Sequence, residues 1–197
     1  MYFSRSRILN MADDMMLQKW TIAFKLLDFN KNDVLSIDDR EACKRSFREI
    51  YQPDDTHSPV MMSHIDNFWA KSMFLTNEPD WSKIIQLDDF ISSRRKAYEQ
   101  DGKAVRNTIH QATMSFISAG DISGTGRLSF DEFKKLHEAL NQKDEKFIKI
   151  MFDAIGPDAD GRVSNVQISD FYTELTMGAD STKHKQYLAA LAAAGFM

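Results

Sequence analysis

Six oxygen donors fall in register between residues 121 and 132. The stretch Asp121-Ile-Ser-Gly-Thr-Gly-Arg-Leu-Ser-Phe-Asp-Glu132 sets Asp121, Ser123 and Thr125 at its first, third and fifth positions, Ser129 at the ninth and Glu132 at the twelfth. Arg127, at the seventh, offers its backbone carbonyl. A hard divalent cation takes about six to eight oxygens, and an array of this spacing can wrap one. Glu132 is long enough to present both carboxylate oxygens, and Gly126 supplies the positive φ that the sharp turn requires.

Oxygens at the first, third, fifth, seventh, ninth and twelfth positions, with glycine at the sixth, form the calcium loop of an EF-hand. A second set follows the same register in Asp28-Phe-Asn-Lys-Asn-Asp-Val-Leu-Ser-Ile-Asp-Asp39. Its ligands are Asp28, Asn30, Asn32, the carbonyl of Val34, Ser36 and Asp39. Asp33 replaces the glycine, and Asp visits the left-handed region more readily than most residues. Asp39 is one methylene shorter than glutamate, which favours six-coordination and admits magnesium as a competitor of calcium. With two carboxylates in each set, dissociation constants of roughly 10⁻⁷ to 10⁻⁵ M are expected.

Two further stretches carry the register with the chemistry weakened. Glu78-Pro-Asp-Trp-Ser-Lys-Ile-Ile-Gln-Leu-Asp-Asp89 keeps carboxylates at Glu78, Asp80 and Asp89, but Glu78 is long for the first position. Lys83 brings a positive charge to the sixth position. In Gly156-Pro-Asp-Ala-Asp-Gly-Arg-Val-Ser-Asn-Val-Gln167, Gly156 and Gln167 stand where the first and last carboxylates belong. Neither is expected to hold an ion. The fourth loop is expected to pair with the third through Val163 and Leu128.

The elements that position these loops show in a repeated triplet of anchors. Phe24, Phe74, Ile117 and Phe152 are followed eleven residues later by Leu35, Ile85, Leu128 and Val163, and five later still by Arg40, Phe90, Phe133 and Ile168. Only Arg40 breaks the apolar pattern. Stripes such as Val105, Ile109, Ala112 and Phe116 keep one helical face apolar. The predicted fold is all-α: four helix–loop–helix units in two paired lobes, packed into one compact body. The expected lobes are 12–100 and 104–178, divided at Gln100-Asp-Gly-Lys103, with a helical tail over 182–197 packing on the body.

Composition narrows the function. The chain has 197 residues, a net charge of −4 and 43% hydrophobic residues, as a globular protein does. This balance argues against a nucleic-acid-binding surface. The lone Cys43 gives no disulfide framework and suits a reducing compartment. The first ten residues lack the apolar core of a signal peptide, and the tail from Tyr187 is short for a membrane span. A cytoplasmic monomer is expected. No catalytic residues emerge: His137-Glu138 is followed by Asn141 where a zinc motif needs its second histidine.

Between Met15 and Leu175 the chain resembles the invertebrate sarcoplasmic calcium-binding proteins and calexcitins. The resemblance rests on four hands in under 200 residues, Asp39 closing the first loop, a degenerate last loop, and an entering helix around Val60 to Phe74 with Trp69. It implies two hand pairs packed face to face, buffering calcium and magnesium in the cytosol. The architecture is also similar to that of coelenterazine-binding proteins and calcium-triggered photoproteins, which keep an apolar cavity between the lobes. Trp20, Trp69, Trp81, fourteen Phe and five His could line such a cavity, although filling a core is the simpler use for them. Met15, Met16, Met61, Met62 and Met73 raise a third reading, a sensor with a groove for a protein target. Buffering is the favoured expectation.

Overall fold

The computed structural model describes residues 5–178 together with Thr182 and Ala189. The tail expected at 182–197 otherwise lies outside the described residues. Helices α1 (Arg5–Leu27), α2 (Ile37–Tyr51), α3 (His57–Phe74), α4 (Leu87–Gly120), α5 (Phe130–Ala139), α6 (Glu145–Ile155) and α7 (Asn165–Met177) alternate with two- and three-residue strands. The strands are β1 (Val34–Leu35), β2 (Ile85–Gln86), β3 (Arg127–Ser129) and β4 (Arg162–Ser164). The fold is all-α, with four EF-hand units in two pairs forming one compact body.

The exit helices start where a serine can cap them. Ser36, Ser129 and Ser164 occupy the ninth position of their loops and are the N-caps of α2, α5 and α7. In each case the residue at the twelfth position returns a bond to the cap backbone, closing a capping box. Such a cap contributes about 1 kcal/mol. The same twelfth residue therefore ends the loop and begins the helix. Gln86 at the start of α4 makes no such side-chain bond.

The loops join in antiparallel pairs. Leu35 lies opposite Ile85, and Leu128 opposite Val163. Leu35, Leu128 and Val163 are fully buried, as are the helix anchors Phe90, Phe133 and Ile168. Burying a side chain of this size contributes about 1.5–3 kcal/mol. Arg40, the irregular anchor, lies with its guanidinium 4.0 Å above the Trp81 ring and 3.7 Å from Asp66. Its aliphatic stem covers apolar surface while its charge is matched at the rim.

Helix α4 serves two hands, leaving the second loop and entering the third. At Asp101 it kinks, with φ −156° and ψ 85°, within the Gln100–Lys103 stretch. Asp101 there accepts a hydrogen bond from the Ala104 amide. Helix α4 packs along α3 and α7, α1 meets α4 and α7, and α2 meets α5. Among the described residues no helix is long and apolar enough to cross a membrane.

His137 ties α5 to α7. Its Nδ1–H donates to the Phe133 carbonyl at 2.7 Å, so Nε2 accepts from the Tyr172 hydroxyl. Burial drives its pKa down to about 4. The unfolded chain then binds the extra proton between about pH 6.5 and 4, so stability is full above that window and falls as pH drops through it. A thermal melt series in chelator is expected to lose on the order of 3 kcal/mol across the window. His137→Gln should flatten the slope.

Candidate metal centres

The first loop is wound around its two carboxylates. Asp28, nearly buried at the end of α1, accepts from the amides of Asn32 at 3.0 Å and Asp33 at 2.9 Å. Asn32 turns its side-chain oxygen to the Val34 amide at 3.1 Å. Asp39, fully buried, accepts from the amides of Phe29, Asn30 and Ser36 at 3.0, 3.2 and 2.9 Å. Asp33 adopts φ 63°, the left-handed conformation its position demands. Asn30 is exposed and joins the loop through its backbone amide.

Electrostatics mark the same place. Burial raises the Asp39 pKa, the backbone bonds pull it down, and the nearby Asp28 charge raises it again. A carboxylate so placed is stabilised in its charged form by a cation.

In the third loop the donor oxygens touch one another in sequence. Ser123 Oγ donates to Asp121 Oδ1 at 3.1 Å, lies 3.2 Å from Thr125 Oγ1, and Thr125 Oγ1 donates to the Arg127 carbonyl at 2.9 Å. Asp121 also accepts from the amides of Thr125 and Gly126 at 3.2 and 2.8 Å. Glu132 Oε2 accepts from both the amide and the hydroxyl of Ser129, each at 2.8 Å. Gly126 sits at φ 71°. Hydrogen bonds thus link all six residues expected here, either within the loop or at its capping box.

The fourth loop reaches into the third. Asn165 Nδ2 donates to Asp121 Oδ2 at 2.8 Å, and its backbone amide donates to the Gly126 carbonyl at 2.9 Å. Arg162 Nη1 lies 3.3 Å from both the Arg127 carbonyl and Glu132 Oε2. Sequence reasoning missed both partners. The expected pairing of Val163 with Leu128 brings the two loops together, with Arg162 opposite Ser129 and Ser164 opposite Arg127, but does not say which side chains cross.

The remaining loops close differently. In the second, Asp80 accepts from the amide and hydroxyl of Ser82, and Asp89 stands exposed on α4. In the fourth, Gln167 accepts from Ser164 with its side-chain oxygen and donates to the Gly156 carbonyl at 3.3 Å. Its amide bridges the first and last positions directly. Arg127 pairs with Asp158 and lies 3.7 Å from Asp160.

These donor sets fit a hard cation. Among the described residues no three His, Cys, Asp or Glu side chains gather as a metal-binding group. Each site would therefore complete its shell with amide, hydroxyl and carbonyl oxygens, a chemistry of calcium and magnesium and not of soft metals. The loops present those oxygens already wound into turns.

No family model matches the chain. The sarcoplasmic calcium-binding protein of Mizuhopecten yessoensis is 21% identical over 170 residues, covering 86% of this chain and 94% of that protein. Among solved structures, n-aequorin superposes with a TM-score of 0.68 at 14% identity, covering 90% of this chain and 93% of its own. The Ca-loaded apo form of the coelenterazine-binding protein from Renilla muelleri gives 0.66 at 16% identity, covering 93% and 95%. The chain has the EF-hand fold and resembles the sarcoplasmic calcium-binding proteins.

Asn165 holds the Asp121 carboxylate, while its own Oδ1 is buried without a partner. Asn165→Leu removes the donor along with that unpaired acceptor, so the fold should tolerate it. Divalent-cation affinity at the third loop is expected to fall about tenfold, with the first loop unaffected. Calorimetric titration measures both.

Proposed function

We propose that this chain is a calcium buffer of the sarcoplasmic calcium-binding type, loading its first and third hands. The observation that supports the reading is the contrast between odd and even loops. Asp28 with Asp39, and Asp121 with Glu132, are carboxylates held by loop amides at both the first and the twelfth positions. In the even loops amides instead hold the third-position carboxylates Asp80 and Asp158. The even loops are closed by Ser82, Gln167 and Arg127. Asp28, Asn30, Asn32, Ser36, Asp39 and the Val34 carbonyl would hold one ion. Asp121, Ser123, Thr125, Ser129, Glu132 and the Arg127 carbonyl would hold the other. Bound calcium would supply a divalent counter-charge to each carboxylate pair. Protein oxygens replace its water, and binding stabilises the folded form by about 2.7 kcal/mol at a hundredfold excess over the dissociation constant.

The chain would act as a monomer in the cytoplasm, without catalysis and without nucleic acid. Magnesium would compete at the first hand, where the short Asp39 suits a six-oxygen shell.

A second reading draws on one cavity. About 380 Å³ lies between the lobes, walled by Trp20, Phe68, Ile109, Phe116, Phe147 and Tyr172. That volume falls in the range of small-molecule pockets, so an apolar ligand such as coelenterazine is the alternative occupant.

Calorimetry of the wild type beside Asp28→Ala and Asp121→Ala is expected to give two calcium sites falling to one in each variant, with little gain of apolar-dye fluorescence on loading. Full stoichiometry in both variants would refute the ligand assignment, and strong dye binding would favour a sensor. The cavity reading has its own measurement. Added coelenterazine should quench Trp20 if the pocket accepts it, and unchanged tryptophan emission excludes that ligand.

A further inference from the structure

The third and fourth loops exchange side chains across their strand pair. Each has an arginine at its seventh position, Arg127 and Arg162. The register sets Arg127 opposite Ser164 and Arg162 opposite Ser129, while Leu128 and Val163 between them are buried. Both arginines therefore leave the ladder on the face away from the core. Arg127 crosses to Asp158 and Asp160 in the fourth loop. Arg162 crosses the other way, to the Arg127 carbonyl and Glu132 Oε2, each at 3.3 Å.

These two acceptors are the seventh- and twelfth-position oxygens of the third hand, so a guanidinium already sits on part of the ligand set that a cation requires. We propose that Arg162 is an internal counter-ion of the third hand which an incoming divalent cation must displace, while Arg127 is the lasting counter-ion of the fourth. The inference rests on the reading of the third hand as a cation site and adds a residue that tunes its affinity.

The asymmetry between the arginines follows from what competes for each. Glu132 has a rival suitor, because Asp121, Ser123 and Thr125 converge on the same loop. Asp158 and Asp160 have none, since Gly156 and Gln167 bring no carboxylate to the fourth loop. Arg162 and Glu132 are about a third exposed, with side-chain values of 37% and 35%. Solvent screening then limits the competition to about three- to fivefold in affinity.

The test titrates calcium into the full-length chain carrying Arg162→Gln or Arg127→Gln, by calorimetry and by NMR of the arginine Nε–H groups. Arg162→Gln is expected to tighten the third hand about three- to fivefold. Arg127→Gln removes the same charge from the equivalent position and keeps the ligand carbonyl, and should tighten it less. In the wild type the Arg162 Nε–H resonance should move as the third hand fills, while that of Arg127 stays. Unchanged or weaker binding in Arg162→Gln overturns the proposal, as does equal tightening in both variants or a stationary Arg162 signal. Absence of any heat that Asp121→Ala removes would overturn the underlying site assignment instead, and this inference with it.

Discussion

Two carboxylates must be held on each of the first and third loops, and their repulsion is borne largely by the backbone. Asp28 and Asp39 are each held by backbone amides, drawn from Asn32 and Asp33 on one side and from Phe29, Asn30 and Ser36 on the other. Successive N–H groups turned inward make a concavity of positive potential. That turn exists because Asp33 and Gly126 accept left-handed φ. The capping serines then attach the twelfth residue to the helix start, so the loop's last carboxylate is also a helix terminus. An acidic group there is favoured by the helix dipole even before an ion arrives.

The fourth hand solves the same problem by removing or matching the charge. Gln167 keeps the capping geometry of a glutamate but uses its amide to bond the Gly156 carbonyl. The loop is thereby closed by a neutral bridge between the ends that an ion would otherwise join. What acidity remains, in Asp158 and Asp160, is met by Arg127. Degeneracy here is not loss of structure. The fourth hand keeps its strand, its cap and its glycine turn, and it lends Asn165 to the Asp121 carboxylate. A hand without its end carboxylates thus still positions a carboxylate of its partner loop.

Periodicity and register made much of this legible. The anchor triplets identified the helix–loop–helix units because burial at fixed spacing is a local property, and Leu35, Leu128, Val163, Phe90, Phe133 and Ile168 are fully buried. The positive φ expected at Asp33 and Gly126 follows from the turn alone. Contacts between loops were not legible. Asn165 and Asp121 are 44 residues apart, and Arg162 and Glu132 are 30 apart. Pairing Val163 with Leu128 implies that the loops touch, but not which long side chains cross. An arginine at the seventh position reads as an ordinary solvated residue until its rotamer is known. The kink at Asp101 falls inside the Gln100-Asp-Gly-Lys103 break that the sequence marks, while the helix runs on through it.

Packing between the lobes bears on buffering against sensing. A sensor that opens on loading must expose apolar surface it previously covered, and flexible methionines commonly line such grooves. Here Met16, Met61, Met62 and Met73 are buried in the common core. Phe116 of α4 meets Phe47 of α2 at 5.9 Å and Phe68 of α3 at 5.1 Å, so rings from both hand pairs share one cluster. Gly120 lets α4 approach the opposite face so closely that an added Cβ would lie 2.6 Å from Leu136 and 2.8 Å from the Tyr51 hydroxyl. Opening one lobe would break aromatic contacts worth about 0.5–1.5 kcal/mol each beyond their buried area. It would also undo the close approach at Gly120. A lobe so locked to its neighbour gains tightness from an ion more readily than it gains a groove, and the methionines then serve as filling for the irregular space between helices.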